Sequence, residues 1–283
     1  MEVKIHGADR NGLQFMARGI TVPFANALRR IMIAEVPTMA IDDVVIVENA
    51  SSMFDEVLTH RLGLIPLVTD LDTYVMPEAC TCHSELGCGK CRVTLTMDVE
   101  AKDEVRSVYS GDLRPDPSNP SIRPVSDRVL ITKLAPGQRI RLEAYAGLGI
   151  GQKHAKWQPV SACTYKYRPR IQISRKKCDG CKRCVDVCHA KVYAWEAGAI
   201  QVVNLLACDL CMDCAKACAG NIKVFEDRST LTFNVESLGS LSPERIVAEA
   251  TKTLETKADS FMKALEALGR EPHEVDQEQR GPA

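Results

Sequence analysis

Hydrophobic and polar residues alternate with a period of two in several segments of the chain, which predicts half-buried β-strands. The apolar positions of these segments are Val3 and Ile5; Leu13, Phe15 and Ala17; Val93, Leu95, Met97 and Val99; Ile140, Leu142 and Ala144; and Leu231, Phe233 and Val235. Neighbouring side chains of a strand point to opposite faces, so this alternation predicts one buried and one solvated face. Sheets with one solvated face are typically antiparallel, and antiparallel strands are therefore predicted.

A segment near the N-terminus has the apolar spacing of a helix instead. Thr21 offers an N-cap hydroxyl, Pro23 is tolerated in the first turn, and Pro37 would end the element. The apolar side chains predicted to share one helical stripe are Phe24, Ala27, Leu28 and Ile31.

A second, longer helix is predicted after Ser242, with Pro243 at its first position. Its apolar or small side chains recur at alternating intervals of four and three residues, the spacing of a heptad seam. These positions are Val247, Thr251, Leu254, Ala258, Phe261, Leu265 and Leu268. The spacing fits a helix packed on the sheet of its own chain as well as a helix that meets another chain. The polar segment 269–283 is predicted to be disordered.

Composition limits the class of protein. The chain has 283 residues, 45% of them hydrophobic, which is enough for roughly two or three small domains. A formal net charge of −1 argues against nucleic-acid binding by bulk charge, and no apolar run is long enough to span a membrane. Many cysteines without an export signal at the N-terminus predict metal ligation in a reducing compartment, the cytoplasm.

Eight of the 13 cysteines form two copies of one spacing, C-x2-C-x2-C-x3-C, which is typical of proteins with two cubane iron–sulfur (4Fe-4S) clusters. In such proteins the first three cysteines of a copy bind one cluster and the fourth binds the other. The predicted ligands are Cys178, Cys181, Cys184 and Cys218 for cluster 1, and Cys208, Cys211, Cys214 and Cys188 for cluster 2. A proline usually follows the fourth cysteine, whereas His189 and Ala219 stand there in this chain. Disulfides or a pair of zinc sites are the alternatives.

A separate group of four cysteines, Cys80, Cys82, Cys88 and Cys91, lies in a loop before one of the predicted strands. Four soft ligands so close together predict a tetrahedral structural zinc site. Free thiols or one redox disulfide are the alternatives. Cys163 stands alone and is predicted to be a small buried hydrophobe.

Several segments resemble the family of alpha-type subunits of archaeal DNA-directed RNA polymerase. They are residues 26–31 (NALRRI), 35–42 (EVPTMAID), 55–66 (DEVLTHRLGLIP) and 151–161 (GQKHAKWQPVS). The resemblance extends from residue 1 to about residue 268. An insert with two complete cysteine quartets resembles a version of the family found in some archaea.

This resemblance implies an α+β fold with a discontinuous alpha-type dimerisation domain, residues 1–43 and 223–268. A mainly-β domain, 44–172, which contains the cysteine loop 80–91, would be inserted into it. A ferredoxin-like iron–sulfur domain, 173–222, would be a second insertion, before the chain returns to the dimerisation domain.

The resemblance also implies a scaffold subunit of DNA-directed RNA polymerase, a nucleotidyltransferase whose catalytic aspartates lie in a large subunit. In the family this subunit pairs with subunit L through the two long helices. The pair is a platform for the large catalytic subunits and for the small subunits N and P, so that contact with DNA is indirect. The residues expected to contact partners are Asn26, Leu28, Arg29, Arg30, Leu254, Phe261 and Leu265. A role in assembly is also expected of His154, Lys156 and Trp157.

The competing function is a ferredoxin-like electron-transfer protein or an oxidoreductase subunit built around the iron–sulfur segment. The chain has no G-x-G-x-x-G dinucleotide loop and no G-x-x-x-x-G-K-[ST] phosphate loop. Together with the flanking alpha-type segments, this favours the scaffold. Clusters that sense oxygen or redox state and adjust polymerase assembly would join the two functions.

Overall fold

The computed structural model describes residues 1–84, 87–117, 120–174, 178, 180–218 and 221–268. These residues form a mixed α/β protein with several small antiparallel sheets. The strands are β1 (Glu2–Ala8), β2 (Gly12–Arg18), β3 (Thr38–Asn49), β4 (Arg92–Glu100), β5 (Arg106–Tyr109), β6 (Arg114–Pro115), β7 (Leu130–Leu134), β8 (Arg139–Gly149), β9 (Val160–Ile173), β10 (Tyr193–Glu196), β11 (Ala199–Val202) and β12 (Ile222–Ser237). The α-helices are α1 (Val22–Ala34), α2 (Asp55–Gly63), α3 (Arg183–Asp186), α4 (Asp213–Ala217) and α5 (Pro243–Leu268).

The first sheet has the strand order β1-β2-β12-β9, and its apolar face is covered by α1 and α5. The alternating residues predicted in β2 and β12 supply this face. Phe15 and Phe233 lie opposite each other in register, and their rings stack with centroids 4.8 Å apart. These two large buried rings, one from each strand, contribute to the core between the sheet and the helices. By contrast, all seven residues of β1, at the edge of this sheet, are exposed.

Helix α1 begins where the sequence predicts, because the Thr21 hydroxyl accepts a hydrogen bond from the Phe24 amide at 3.4 Å. The buried face differs in part from the prediction. It consists of Ala25, Leu28, Ile31 and Met32, whereas Phe24 is 38% exposed. The helix is rotated about its axis so that Ala25 and Met32, and not Phe24, join Leu28 and Ile31 on the buried face.

The second sheet has the order β3-β8-β4-β6 and is accompanied by the two-stranded pair β5-β7. The predicted alternation in β4 is confirmed, since Val93, Leu95, Met97 and Val99 are all buried. Helix α2 packs Leu58 and Leu62, both fully buried, into the same core.

The cysteine-rich segment contains the hairpin β10-β11 and the short helices α3 and α4. It sits at the far ends of β9 and β12, which pair from Val160–Ser237 to Ile173–Ile222 with two irregularities, one between Asp227 and Leu231 and one between Glu236 and Ser237. One strand pair therefore joins the first sheet to the base of the cysteine-rich segment.

The division into domains stays a prediction. The limit expected between residues 43 and 44 falls inside β3, and the limits near 172 and 222 fall inside β9 and at the start of β12. The segment 269–283, predicted to be disordered, lies outside the described residues. Among the helices of the described ranges, none combines the length and the apolar character needed to cross a membrane.

Candidate metal centres and subunit interface

The two cysteine quartets lie in matching local structures. In each copy the residue after the second cysteine has a left-handed backbone, with φ of 60° at Lys182 and 67° at Met212, and a short helix follows it directly. The third cysteine of each copy, Cys184 or Cys214, is in the first turn of that helix and is buried. Since a left-handed backbone is uncommon for residues other than glycine, its recurrence shows that the two copies are built alike.

The first cavity of this segment is lined by the cysteines Cys178, Cys181, Cys184 and Cys218. The indole ring of Trp195 and the side chain of Ile200 are among the other groups that line it. Burial, together with the neighbouring Cys218 thiol, raises the pKa of the Cys184 thiol to about 12. In the free protein this sulfur therefore keeps its proton, and a bound metal would have to displace it.

The second cavity is lined by the cysteines Cys188, Cys208, Cys211 and Cys214. The backbone amide of Val192 donates a hydrogen bond to Cys188 Sγ at 3.4 Å, and the Tyr193 hydroxyl lies 3.3 Å from Cys214 Sγ. Burial raises the pKa of the Cys208 thiol. Amide and hydroxyl groups directed at sulfur are the surroundings in which iron–sulfur ligands are found.

The cavities group the eight cysteines in the crossed manner that the spacing predicts. Cys218 of the second copy lies with the first cavity, and Cys188 of the first copy lies with the second cavity. Four sulfur donors around one cavity are the ligand set of a cubane iron–sulfur cluster, so the donor chemistry fits the predicted groups. The identity of what they bind stays a prediction.

The loop 80–91 brings its four cysteine sulfurs together as well. Cys80 Sγ lies 3.7 Å from Cys88 Sγ, while Cys91 Sγ lies 3.9 Å from both Cys82 Sγ and Cys88 Sγ. A tetrahedral Zn²⁺ with Zn–S bonds of about 2.3 Å holds its sulfurs about 3.8 Å apart. All four side chains are free thiols, and their sulfurs lie within 4.8 Å of one another. This cluster can therefore bind a metal ion.

Backbone amides of this loop form a tight turn and a hydrogen bond to one of the cysteine sulfurs. The amides of Cys91 and Arg92 both donate to the carbonyl oxygen of Cys88 at 2.9 Å, which closes a tight turn just before β4. A hydrogen bond from the Lys90 amide lowers the pKa of the Cys88 thiol to about 7. Cys88 can therefore supply a thiolate near neutral pH before any metal binds.

The residues of α1 expected to contact partners have different environments. Arg29 donates from Nε and Nη2 to Asn26 Oδ1 at 3.2 and 3.1 Å, and Arg30 is exposed. Leu28 is only 6% exposed and belongs to the core of the first sheet, which differs from its expected contact with a partner. The helix turns this side chain toward its own sheet and leaves the polar face open.

The C-terminal half of α5 extends away from the core with an apolar stripe. Leu254 is half-buried against the first core, whereas Phe261 is 65%, Leu265 47% and Leu268 65% exposed. Lys257 Nζ of α5 forms an ion pair at 2.5 Å with Oε2 of Glu35, the residue that follows α1. Contiguous exposed apolar side chains are typical of a protein–protein interface.

The segment 151–161 packs mainly on its own chain. Trp157 is 8% exposed, and its ring lies so close over Gly149 that a Cβ there would be 2.3 Å from it. Lys156 Nζ bonds Asp42 Oδ1 at 2.6 Å and lies 4.3 Å from the centre of the Trp157 ring. The Trp157 side chain therefore fills a space that Gly149 leaves open inside this chain, while the expected role of this segment in assembly stays a prediction.

Sequence reasoning missed two kinds of residue near the cavities. Tyr193 and Trp195 lie two residues apart in β10, so their side chains point to the same face of the strand, toward the cysteines. The signal in the sequence was this pair of aromatic residues between the two quartets. His189 stands where a proline is usual, and its Nε2 lies 2.9 Å from Asp209 Oδ2, linking the two copies.

Comparison with known proteins covers nearly the whole chain. Residues 14–258 match the family described as RNA polymerase Rpb3/Rpb11 dimerisation domain. The DNA-directed RNA polymerase subunit Rpo3 of Methanosphaera stadtmanae is 39% identical, over 93% of this chain and 97% of its own. The Rpo3 subunits of Methanothermobacter thermautotrophicus and Methanosarcina acetivorans are 39% and 35% identical, over 93% and 95% of this chain and 98% and 99% of theirs.

These matches extend through both the helical and the cysteine-rich parts, so they do not favour the alternative of an electron-transfer protein built around the insert alone. The paired helices on one sheet, with an uncovered stripe on α5, are the elements that a dimerisation domain requires. The chain belongs to the Rpb3/Rpb11 dimerisation-domain family, as a relative of archaeal Rpo3 and an assembly subunit of DNA-directed RNA polymerase.

Proposed function

We propose that this chain is the scaffold on which an archaeal RNA polymerase assembles in the cytoplasm. It pairs with the small subunit L, and the pair forms the platform for the large catalytic subunits and for the small subunits N and P. Nucleotidyl transfer and direct contact with DNA belong to the large subunits. The role of this chain is to hold in place the surfaces that bind the other subunits.

The observation that carries the proposal is the uncovered stripe of α5. Phe261, Leu265 and Leu268 expose large apolar side chains beyond the point where α5 leaves its own sheet. A partner helix that covers them would gain about 1.5–3 kcal/mol for each fully buried side chain. Arg29 and Arg30 on the open polar face of α1 would then be available to a further subunit.

We propose three metal groups for the chain. The first cavity holds one 4Fe-4S cluster and the second cavity holds another, while the loop 80–91 holds one Zn²⁺. When bound, each cluster cross-links parts of the chain that are distant in sequence and can exchange an electron. The side chains of this chain supply thiolates, keep water from the buried sulfurs and tie both cavities to the ends of β9 and β12.

The domain division proposed is the one that the family resemblance implies, with one adjustment. Residues 1–43 and 223–268 form the dimerisation domain, with the insertions 44–172 and 173–222. The pairing of β9 with β12 supports assigning β9 to the first sheet as well. The iron–sulfur insertion would then begin where β9 ends.

Anaerobic purification from the native cell tests both parts of the proposal in one sample. The co-purified chains should include a small alpha-like partner and the large polymerase subunits. Metal analysis should give about eight irons and eight sulfides per chain, because each of two cubes holds four irons. Changing Cys188 to Ser should damage the second cluster more than the first.

Different outcomes would refute the scaffold role, the presence of two clusters or the crossed ligation. A chain that purifies with a flavin or nicotinamide enzyme and without polymerase subunits would refute the scaffold. A reproducible iron content near half the expected value would refute two cubes. Damage by Cys188→Ser confined to the first cluster would reverse the crossed assignment.

A further inference from the structure

Tyr193 belongs to the core of the cysteine-rich segment and brings a polar atom into it. It begins β10, is 4% exposed, and places its hydroxyl oxygen 3.3 Å from the sulfur of Cys214, which is itself 6% exposed. A phenylalanine would fill the same space without bringing a polar atom into the interior. The hydroxyl is therefore the feature that needs an explanation.

The direction of this hydrogen bond depends on what Cys214 binds. Between a hydroxyl and a free thiol either group can donate. Once the sulfur is bound to iron it carries no proton, so only the Tyr193 hydroxyl can donate. Adding one electron to a cluster increases the negative charge on its ligand sulfurs. A donor aimed at one of them stabilises the reduced form and raises the reduction potential.

The same strand turns a different side chain toward the first cavity. Trp195, two residues further along β10, faces the first cavity with an indole ring, and Lys182 Nζ lies 5.5 Å from the centre of that ring. One short strand thus directs a hydroxyl donor to the second cavity and an aromatic surface to the first.

We propose that Tyr193 is a positioning residue that sets the reduction potential of the cluster in the second cavity through its hydrogen bond to Cys214. This rests on the cluster assignment proposed above. Tyr193 makes the second cluster easier to reduce than it would be without the hydroxyl, and has no such effect on the first.

The test uses the anaerobically purified complex that carries Tyr193→Phe. The complex is reduced stepwise with dithionite, and electron paramagnetic resonance gives the midpoint potential of each cluster. We expect the midpoint potential of one cluster to become more negative while the other stays unchanged. The matched control is Tyr145→Phe, which removes a hydroxyl that bonds Glu143 at 2.9 Å in the second sheet. It should leave both potentials unchanged. Iron and sulfide contents are measured on every sample.

A second replacement keeps the test decisive if Tyr193→Phe loses its cluster. Incorporation of 3-fluorotyrosine at position 193 strengthens the donor with little change in shape, so the same potential should become less negative. Changing Cys178 and Cys181 to Ser leaves only the second cluster, and the shift should persist there. Unchanged potentials in the fluorinated chain, or a shift confined to the first cluster, would overturn the proposal. Wild-type protein without iron would instead refute the cluster assignment itself, and this inference with it.

Discussion

Four thiols in the loop 80–91 show how single residues can prepare a metal site. The Lys90 amide lowers the pKa of Cys88 to about 7, while burial raises the pKa of Cys91. Sulfur separations of 3.7 to 3.9 Å are already those of a tetrahedral zinc site. A bound cation would balance the charge of these thiolates and fix the turn that leads into β4.

We therefore predict that changing Cys88 and Cys91 to Ser abolishes zinc binding and loosens the loop. Metal analysis should fall from about one zinc ion per chain to well below it. Trypsin should cleave faster after Lys90, because the metal no longer closes the turn, while the second sheet keeps its thermal transition. Ser84→Ala, an exposed change in the same loop that keeps all four thiols, is the control. Zinc retained in the doubly changed chain would place its ligands elsewhere.

At the scale of single elements, the two halves of α5 have different roles. Ile246 and Ala250 are fully buried and hold the helix to the first sheet, and Leu254 is the last side chain that packs on this core. Beyond it, Phe261 and Leu265 are exposed. A substitution in the second half should therefore affect pairing without affecting the fold of the free chain.

We predict that changing Phe261 and Leu265 to Asp abolishes pairing with the small alpha-like partner. Loss of two buried apolar side chains should cost about 3 kcal/mol or more, at least about a hundredfold in Kd. Titration calorimetry measures the loss, and the melting temperature of the free chain should not change. The control is Thr256→Asp with Lys263→Gln, which alters the net charge equally on the opposite side of the helix. A lower melting temperature of the free Asp variant would show that the stripe packs within the chain.

How well each element could be predicted depends on its length. The alternation in β4 and β12 and the caps of α1 and α5 are local signals, and the structure confirms them. The two-residue β6 and the four-residue β10 are too short to show a period, and they exist because of the strands and cysteines around them.

The candidate site divides in the same way. The crossed grouping of the cysteines is the one typical of proteins with this repeated spacing, so the repeat was enough to predict it. The burial of Trp157 could not be predicted in this way, because it depends on the missing side chain of Gly149 at the end of β8. The face of α1 that meets the sheet likewise depends on tertiary packing, which moved the buried stripe to Ala25 and Met32.

At the scale of the whole molecule, the three cores differ in what holds them together. The cores of the two sheets are aliphatic and aromatic, whereas the buried residues of the cysteine-rich segment include Cys184, Cys208 and Cys214. So small a core is not expected to stay ordered without its metal groups. The first core contains none of the eight quartet cysteines. Loss of the clusters should therefore disorder the insert and leave its host folded.

We predict that a chain with all eight quartet cysteines changed to Ser still pairs with subunit L but assembles poorly into complete polymerase. Pairing depends on α5 and the first sheet, which keep their own core, whereas any surface that the insert offers to a large subunit would be lost with its order. Reconstitution from purified subunits, followed by size-exclusion chromatography and a transcription assay, measures both steps. The Cys88 and Cys91 variant controls for the loss of cysteines elsewhere. Failure to pair with L would mean that disorder spreads along β9 and β12 into the first sheet, and normal assembly with full transcription would mean that the clusters are needed for neither step.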